Sequence, residues 1–257
     1  MVVADLHVHT TRSDGALTLD TLPAAAADAG VAVVAVTDHD RVQPALDGPV
    51  TTRDGVTVVH GIELRVDAGT QRLDLLGYGV EATDALREEC KRIQRNRRER
   101  GRAIIDCVED RLGVPLPVEP RAGLGRPHIA RAVAAATDYS FQGAFDDLIG
   151  ADCPCYVPRE VPDFDRGREL LADACGLVGL AHPFRYRDTD AALARCADLD
   201  AVERWYPYGH TVDAGRVEDA IERYDLVPTG GSDAHDERLG VAGLDRAAWD
   251  RVRDAVV

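Results

Sequence analysis

The fold of this chain is decided by the stretch Asp5–Gly15, which reads DLHVHTTRSDG. An apolar run leads into it, and His7 and His9 are two residues apart, so on a strand both imidazoles lie on one face. That geometry chelates a metal ion, with Asp5 available to orient the imidazoles and Asp14 following in a Ser-Asp-Gly turn. The stretch therefore predicts a metal site at the end of the first strand.

Four further histidine-bearing motifs follow later apolar runs. They are Thr37-Asp38-His39-Asp40, His60-Gly61-Ile62-Glu63, Ala181-His182-Pro183 and Gly231-Ser232-Asp233-Ala234-His235. A single histidine in such a place is usually structural or hydrogen-bonded, but packing does not explain a series of them at successive strand ends. Because the carboxyl ends of parallel strands converge on one rim of a barrel, the motifs are expected to meet.

Seven short apolar runs predict the strands, with helix-like stretches between most of them. The runs are Val2–Val8, Val31–Val36, Val56–Ile62, Leu73–Tyr78, Leu177–Ala181, Ala201–Glu203 and Leu226–Thr229. This alternation favours an α/β fold with a parallel sheet closed as a barrel. Residues 81–176 lack a convincing strand and predict a mainly helical insertion over the barrel mouth. Its long helix, Ala85–Leu112, is rich in Arg, but interleaved acids indicate a solvated face rather than a nucleic-acid patch.

The charge and composition of the chain limit the kinds of ligand that it can bind. The chain of 257 residues has 32 Asp, 13 Glu, 29 Arg and one Lys, with a net charge of −15. The excess of acid resembles that of proteins adapted to high salt; a GC-rich genome would explain the missing Lys but not the excess acid. Long nucleic acids are disfavoured as ligands because there is no overall basic field.

The sequence also predicts the cellular compartment of the protein and the redox state of its cysteines. The chain has no apolar run of about 18 residues and no secretory signal, so we expect a cytoplasmic protein without a membrane span. Its six cysteines form no C-x-x-C pair, and Cys153 and Cys155 are too close in sequence for an ordinary disulfide with each other. Reduced, mostly buried cysteines are therefore expected.

Taken together, the motifs DLHVHTTRSDG, TDHD, GIE, AHP and GSDAH resemble those of the PHP (polymerase and histidinol phosphatase) family. The segments Gly125–Arg131 (GRPHIAR) and Tyr156–Arg159 (YVPR) look like its branch of small nucleotide and nucleoside-bisphosphate phosphatases. The resemblance implies a single PHP domain over residues 1–257, folded as a distorted seven-stranded (β/α)7, TIM-like barrel. The helical insertion over 81–176 would lie between strands 4 and 5.

The resemblance also implies two or three divalent metal ions, for which the mixed ligands suit Mn, Fe or Zn. The implied ligands are His7, His9, Asp14, His39, Glu63, His128, His182, Asp233 and His235. Glu63 would bridge two ions, and we expect Glu63, Asp14 and His235 to act directly in catalysis. His60 is expected to be structural.

Substrate contacts are expected from three other residues. Arg126 and Arg159 are candidates for a phosphate clamp, since guanidinium suits phosphate, although surface ion pairs would explain them equally. His210 follows an aromatic run after the sixth strand, where the aromatic side chains could contact a base or simply pack the rim.

These expectations lead to a metal-dependent phosphoesterase. Its substrate would be small: a phosphomonoester of a nucleotide or a nucleoside 3′,5′-bisphosphate, attacked by metal-activated hydroxide. The alternatives are 5′-3′ trimming of short RNA, hydrolysis of histidinol phosphate and a non-catalytic metal-binding PHP module. A purely structural zinc site is disfavoured because such sites are usually closed by four ligands, many of them Cys. The oligomeric state is left open.

Overall fold

The structure is a computed structural model that describes residues 1–256. Contacts between Cα atoms divide it into two units, and each is described here by itself. The first unit contains Met1–Cys90 and the chain from Val161 onward, and the second is Lys91–Glu160. All the strands belong to the first unit.

Each of the seven predicted runs overlaps one strand, and one further strand occurs. The strands are β1 (Ala4–Val8), β2 (Val33–Val36), β3 (Val50–Arg53), β4 (Val56–Asp67), β5 (Arg72–Tyr78), β6 (Leu177–Leu180), β7 (Ala201–Trp205) and β8 (Val227–Gly230). They pair in the order β1-β2-β4-β5-β6-β7-β8, and β3 forms a hairpin with β4 off this path. The α/β class is confirmed.

A regular parallel (β/α)7 barrel is not what the sheet forms. Strand β5 runs antiparallel to both β4 and β6, with Leu64 opposite Leu75 and Leu75 opposite Leu180. The connection from Asp67 to Arg72 is a short turn, whereas a parallel pair needs a crossover of a dozen or more residues. The expectation of a fully parallel sheet is therefore wrong at its centre.

The sheet is strongly curled, and its two ends meet through a few backbone hydrogen bonds. The amide of His9 donates to the Ala234 carbonyl at 3.0 Å, and the Ala234 amide donates to the His7 carbonyl at 3.1 Å. Ala234 follows β8, so this contact is an isolated bridge rather than a strand ladder. The sheet is thus a curled half-barrel that brings the loop after β8 against the end of β1.

Eight α-helices are described. They are α1 (Leu22–Ala29), α2 (Asp84–Leu112), α3 (Arg126–Ala136), α4 (Phe141–Ala144), α5 (Phe164–Ala172), α6 (Thr189–Ala194), α7 (Gly215–Tyr224) and α8 (Arg246–Val256). A π-helical turn covers Phe145–Ile149, and 3-10 turns cover Pro183–Arg185 and Arg195–Asp198. No helix of the described chain is long and apolar enough to cross a bilayer.

Side chains of the sheet alternate between two apolar clusters. On β2, Val33 and Ala35 join the cluster that contains Trp249 of α8, while Val34 and Val36 join the one that contains Leu22 of α1. Successive residues of a strand point to opposite faces, so both faces of β2 are covered. The strand ends, where the histidines lie, are held by this packing.

The second unit has its own apolar core and one disulfide. Ile104, Ile129 and Leu148 belong to its buried cluster. Cys107 of α2 is bonded to Cys155, which corrects the expectation that all six cysteines are reduced. The pairing brings together residues 48 apart in sequence, which a local cysteine pattern does not reveal. The interpretation of 81–176 as an insertion covering the barrel mouth stays a prediction.

Candidate metal centre

Side chains from strands β1, β4 and β5, and from loops that follow these and other strands, form three groups of potential metal ligands within the first unit. The groups are His9, Asp14, His39 and His235; His7, His9 and Glu63; and Glu63, Asp74 and His182, with ligand atoms lying within 4.8 Å of one another in each. Seven of the nine predicted ligands belong to these groups. Of the other two, Asp233 contacts the groups as described below, and His128 belongs to the second unit.

Glu63, on β4, lies at the middle of the centre and is almost completely buried. Its Oε1 is 3.1 Å from Nε2 of His182 and 3.6 Å from Nε2 of His7. Its Oε2 is 3.5 Å from Nε2 of His9 and 2.5 Å from Nδ1 of His39. Each carboxylate oxygen therefore faces different imidazoles, which is the arrangement a bridging ligand needs.

Asp233 contributes its two oxygens to different neighbours. Its Oδ1 lies 3.1 Å from Nε2 of His9 and 3.5 Å from Nε2 of His7. Its Oδ2 accepts hydrogen bonds from the Tyr206 hydroxyl at 2.8 Å and from Nη1 of Arg185 at 3.0 Å. The backbone of Asp233 is left-handed, with φ of 49°, a conformation tolerated at sites whose surroundings hold it in place.

A more open group lies beside the buried one. His39 Nε2 is 3.8 Å and His235 Nε2 is 3.5 Å from the carboxylate of Asp14. These side chains are 23%, 40% and 30% exposed for His39, His235 and Asp14 respectively. The partial exposure leaves room for a substrate on this side of the centre.

The histidines and carboxylates of the centre shift one another's pKa values toward the charged forms. Burial alone would raise the pKa of Glu63, but His39 and His7 hold it well below its ordinary value. Burial lowers the pKa of His235, but the hydrogen bond to Asp14 and the charges of Asp233 and Asp14 together outweigh it and raise the pKa to about 9. Despite burial, the pKa values of Asp14 and Asp233 are also lowered by the neighbouring histidines, so these two carboxylates and Glu63 are ionised at neutral pH, which is the form that binds cations.

The residues fit divalent metal ions. Nε2 of His7 is fully buried and has no hydrogen-bond partner among the described residues, although it is within 3.6 Å of two carboxylates. An unpaired buried polar atom is costly, and a metal ion would satisfy it. Imidazole and carboxylate ligands together suit Mn, Fe or Zn.

Glu203 orients two of the imidazole-bearing residues, a role expected of Asp5. Glu203 is buried on β7; its Oε1 pairs with Nδ1 of His7 at 3.0 Å and its Oε2 accepts from the His182 amide at 2.7 Å. Asp5 instead accepts from the backbone amides of Ser232 and Gly240 at 2.9 and 2.8 Å. It therefore ties β1 to the loop after β8 rather than orienting an imidazole.

Asp74 is a site residue that the sequence analysis missed. It lies on β5, 1% exposed, with Oδ2 3.7 Å from Nε2 of His182. Arg65 on β4 makes a two-pronged contact with its carboxylate, through Nε at 2.6 Å and through Nη2. The available signal was an acid within the otherwise apolar run Leu73–Tyr78. The antiparallel register of β5 is what brings it to Glu63.

His60 behaves as predicted and stands outside the three groups. Its ring is 4% exposed, and its Nε2 accepts a hydrogen bond from the Gln43 amide at 3.0 Å. Burial and the charge of Arg87 lower its pKa to about 4, so the ring is neutral at physiological pH.

Three predicted site residues belong to the second unit. His128 on α3 accepts a hydrogen bond from the Gly125 amide at Nδ1, at 3.1 Å. Arg126 donates to the Ile149 carbonyl at 3.2 Å and lies over the rings of Phe145 and Tyr156. The roles of His128, Arg126 and Arg159 as ligand and phosphate clamps stay predictions.

His210 lies in the first unit and is exposed. Its Nδ1 is 2.9 Å from the Tyr208 carbonyl, and its ring stands edge-on to the ring of Tyr208. It belongs to none of the three ligand groups. Its role as a substrate contact stays a prediction.

Comparisons with known proteins agree with this geometry. The PHP domain family profile matches residues 5–142. A phosphoribosyl 1,2-cyclic phosphate 1,2-diphosphodiesterase from Eggerthella lenta is 30% identical, over 91% of this chain and 94% of that protein. A 5′-3′ exoribonuclease from Haemophilus influenzae is 26% identical, over 90% and 89% of the two chains. A 3′,5′-nucleoside bisphosphate phosphatase from Chromobacterium violaceum is 28% identical, over 72% and 68%.

A solved structure is also similar. It is the crystal structure of a protein proposed to be a metal-dependent phosphoesterase, from Bifidobacterium adolescentis, with a TM-score of 0.79 and 25% identity over 100% of this chain and 97% of that one. The family profile spans more than half of the chain, and its first motif holds His7 and His9 of the centre. The chain therefore belongs to the PHP family and is a metal-dependent phosphoesterase.

Proposed function

We propose that this protein hydrolyses a phosphoester of a small nucleotide, either a phosphomonoester or a nucleoside 3′,5′-bisphosphate. The observation that supports this most is the position of Glu63, shared between the His7–His9 group and the Asp74–His182 group. Beside it, the half-exposed group around Asp14 offers a place for a substrate oxygen.

The residues of the metal centre have different roles in the proposed hydrolysis. When bound, divalent ions supply positive charge for the phosphoryl oxygens and lower the pKa of a water molecule that attacks phosphorus. Glu63 and Asp233 contact His9 and would bind the ions through their carboxylates. His235 and Asp14 lie on the open side of the centre. In a chain of net charge −15, bound divalent ions would give this centre the local positive charge that an anionic substrate requires.

The test is phosphate release by the purified protein, with added Mn²⁺ and molar KCl. The panel contains AMP, a nucleoside 3′,5′-bisphosphate, histidinol phosphate and a short 5′-phosphorylated RNA. We expect turnover of the mononucleotides, and we expect His9→Ala to reduce it by more than about 100-fold because a buried ligand is lost. The matched control is His60→Gln, which alters another buried histidine outside the ligand groups and retains an acceptor for the Gln43 amide.

The panel also separates the other functions. Turnover confined to histidinol phosphate would replace the nucleotide proposal, and metal binding with no turnover would favour a non-catalytic module. The similarity to a cyclic phosphate diphosphodiesterase and to an exoribonuclease supports a second candidate, cleavage of a phosphodiester. Mononucleotides released from the RNA, detected by chromatography of the same reactions and with AMP left intact, would establish that candidate instead.

A further inference from the structure

An aromatic cavity opens beside the metal centre, on the side of β7. The chain has only two Trp, seven Tyr and four Phe, yet four of these side chains line this one cavity of about 360 Å³. They are Phe184, Trp205, Tyr206 and Tyr208. Cavities of a few hundred Å³ with mainly apolar walls are typical of small-molecule sites.

Three of the four aromatic rings, those of Phe184, Tyr206 and Tyr208, form a connected cluster, and all four residues are half-buried. The centroids of Tyr206 and Tyr208 are 4.6 Å apart, and the ring of Phe184 stands edge-on to Tyr208 at 5.3 Å. Among the lining residues Arg204 alone is charged, and its guanidinium is paired with Glu218. The cavity therefore suits a flat, uncharged group better than a second phosphate.

This cavity adjoins another one that lies at the metal centre. A second cavity of about 430 Å³, lined by Asp233 and His235, shares Pro207 and Val241 with the aromatic one. Val241 is 61% exposed and is one of three exposed large apolar side chains in the described part of the chain. It thus presents an unpartnered apolar surface at the shared edge.

Tyr206 links the two cavities. Its hydroxyl donates to Asp233 at 2.8 Å, while its ring lines the aromatic cavity and stands edge-on to His182 at 5.5 Å. A ligand whose phosphate lies at the metal centre therefore meets an aromatic wall one side chain away.

We propose that the cavity lined by Phe184, Trp205, Tyr206 and Tyr208 is the subsite that binds the base of the nucleotide substrate. The inference rests on the proposed function, because it supposes that the phosphate of the same molecule occupies the metal centre. Bases stack on aromatic side chains irrespective of sequence, so the subsite provides affinity for nucleotides over sugar phosphates rather than selection of one base.

Intrinsic fluorescence tests the subsite without catalysis. Trp205 is half-buried at the cavity and Trp249 is buried in the core, so a base stacked in the cavity should quench Trp205 selectively. Metal-free protein in molar KCl is titrated with AMP and, separately, with ribose 5-phosphate. We expect saturable quenching by AMP and none by ribose 5-phosphate. Equal responses to both compounds, or no response to AMP, would overturn the proposal.

Kinetics with Mn²⁺ provides the second measurement. The quantity is the ratio of kcat/KM for AMP to kcat/KM for ribose 5-phosphate. Tyr208→Ala should reduce this ratio about tenfold, which corresponds to about 1.4 kcal/mol, since the base loses one of the rings on which it stacks. Tyr224→Ala, on α7 and outside the cavity, is the matched control and should leave the ratio unchanged.

The outcomes distinguish a failure of the base subsite from a failure of the proposed phosphoesterase function. An unchanged ratio in correctly folded Tyr208→Ala would overturn the base subsite while leaving the phosphoesterase function intact. Absence of turnover of every phosphoester would contradict the proposed function, whereas selective quenching by AMP would still support the subsite. If Tyr208→Ala does not fold, the fluorescence titration of the unmodified protein decides whether the base subsite exists.

Discussion

Single residues outside the ligand groups determine how well the centre binds metal. Glu203 is buried and contacts both His7 Nδ1 and the His182 amide. We expect Glu203→Gln to weaken metal affinity by about 10–100-fold, because the neutral amide neither fixes the His7 tautomer as firmly nor raises its basicity. Competition with a chelator measures the affinity.

The matched control for that variant is Glu218→Gln, which removes an exposed glutamate paired with Arg204. It should bind metal as the unmodified protein does. Equal metal affinities for Glu203→Gln and the unmodified protein would show that Glu203 only fills space.

His60 should make the stability of the fold depend on pH. Its pKa is about 4 in the folded protein, against an ordinary value of 6.5. Because the folded-state pKa is depressed, the neutral ring of His60 contributes fully to the free energy of unfolding above about pH 6.5. That contribution is lost as the pH falls through 4, at a cost of up to about 3 kcal/mol.

His60→Gln removes that titration while keeping an acceptor for the Gln43 amide. The free energy of unfolding of the variant, relative to the unmodified protein, should therefore rise as the pH is lowered from 7 toward 4. Denaturant unfolding at several pH values measures it. Parallel pH profiles for the two proteins would contradict the role given to His60.

At the scale of elements, the centre depends on the close approach of β1 and the loop after β8. A Cβ added to Gly231 would lie 2.3 Å from the His7 backbone nitrogen and 2.4 Å from its Cβ. Gly231→Ala should therefore push the two elements apart, costing about 1–3 kcal/mol of stability and weakening metal binding.

Thermal unfolding and chelator competition check this prediction. Gly48→Ala is its control, because no atom lies within 4 Å of a Cβ added there. If both variants melt and bind metal alike, the packing of the loop against β1 is not what holds the ligands together.

The elements also show where sequence patterns succeed. The apolar runs located seven strands because buried strands are rich in β-branched and aliphatic residues. Strand β3, with the sequence VTTR, is half-exposed and too polar to stand out. The reversed direction of β5 was missed because alternation of apolar runs carries no information about strand direction, which depended here on the short turn after Asp67.

At the scale of the whole molecule, the charge predicts a dependence on salt. The net charge of −15 makes the compact state repel itself, and molar salt screens charges beyond about 3 Å. We expect the melting temperature to rise when KCl is increased from about 0.1 M to about 2 M, because the repulsion is then screened.

Sucrose at equal osmolality is the control, since it stabilises proteins through exclusion from the surface rather than by screening. A melting temperature that does not change with KCl would contradict the adaptation to high salt. A rise of the same size in sucrose would show that the effect is not electrostatic.

By itself, the sequence determined the chemistry of this protein: the histidines and carboxylates, their placement at strand ends and their resemblance to the PHP motifs. Spacing within one strand is enough to put His7 and His9 on one face, because strand geometry is local. The tertiary structure alone decided that Asp74 joins Glu63 and that Glu203 orients His7. It also decided that Cys107 is bonded to Cys155 and that four aromatic rings share one cavity. Those contacts join residues far apart in the chain, and their partners are selected by sheet register and packing rather than by any local pattern.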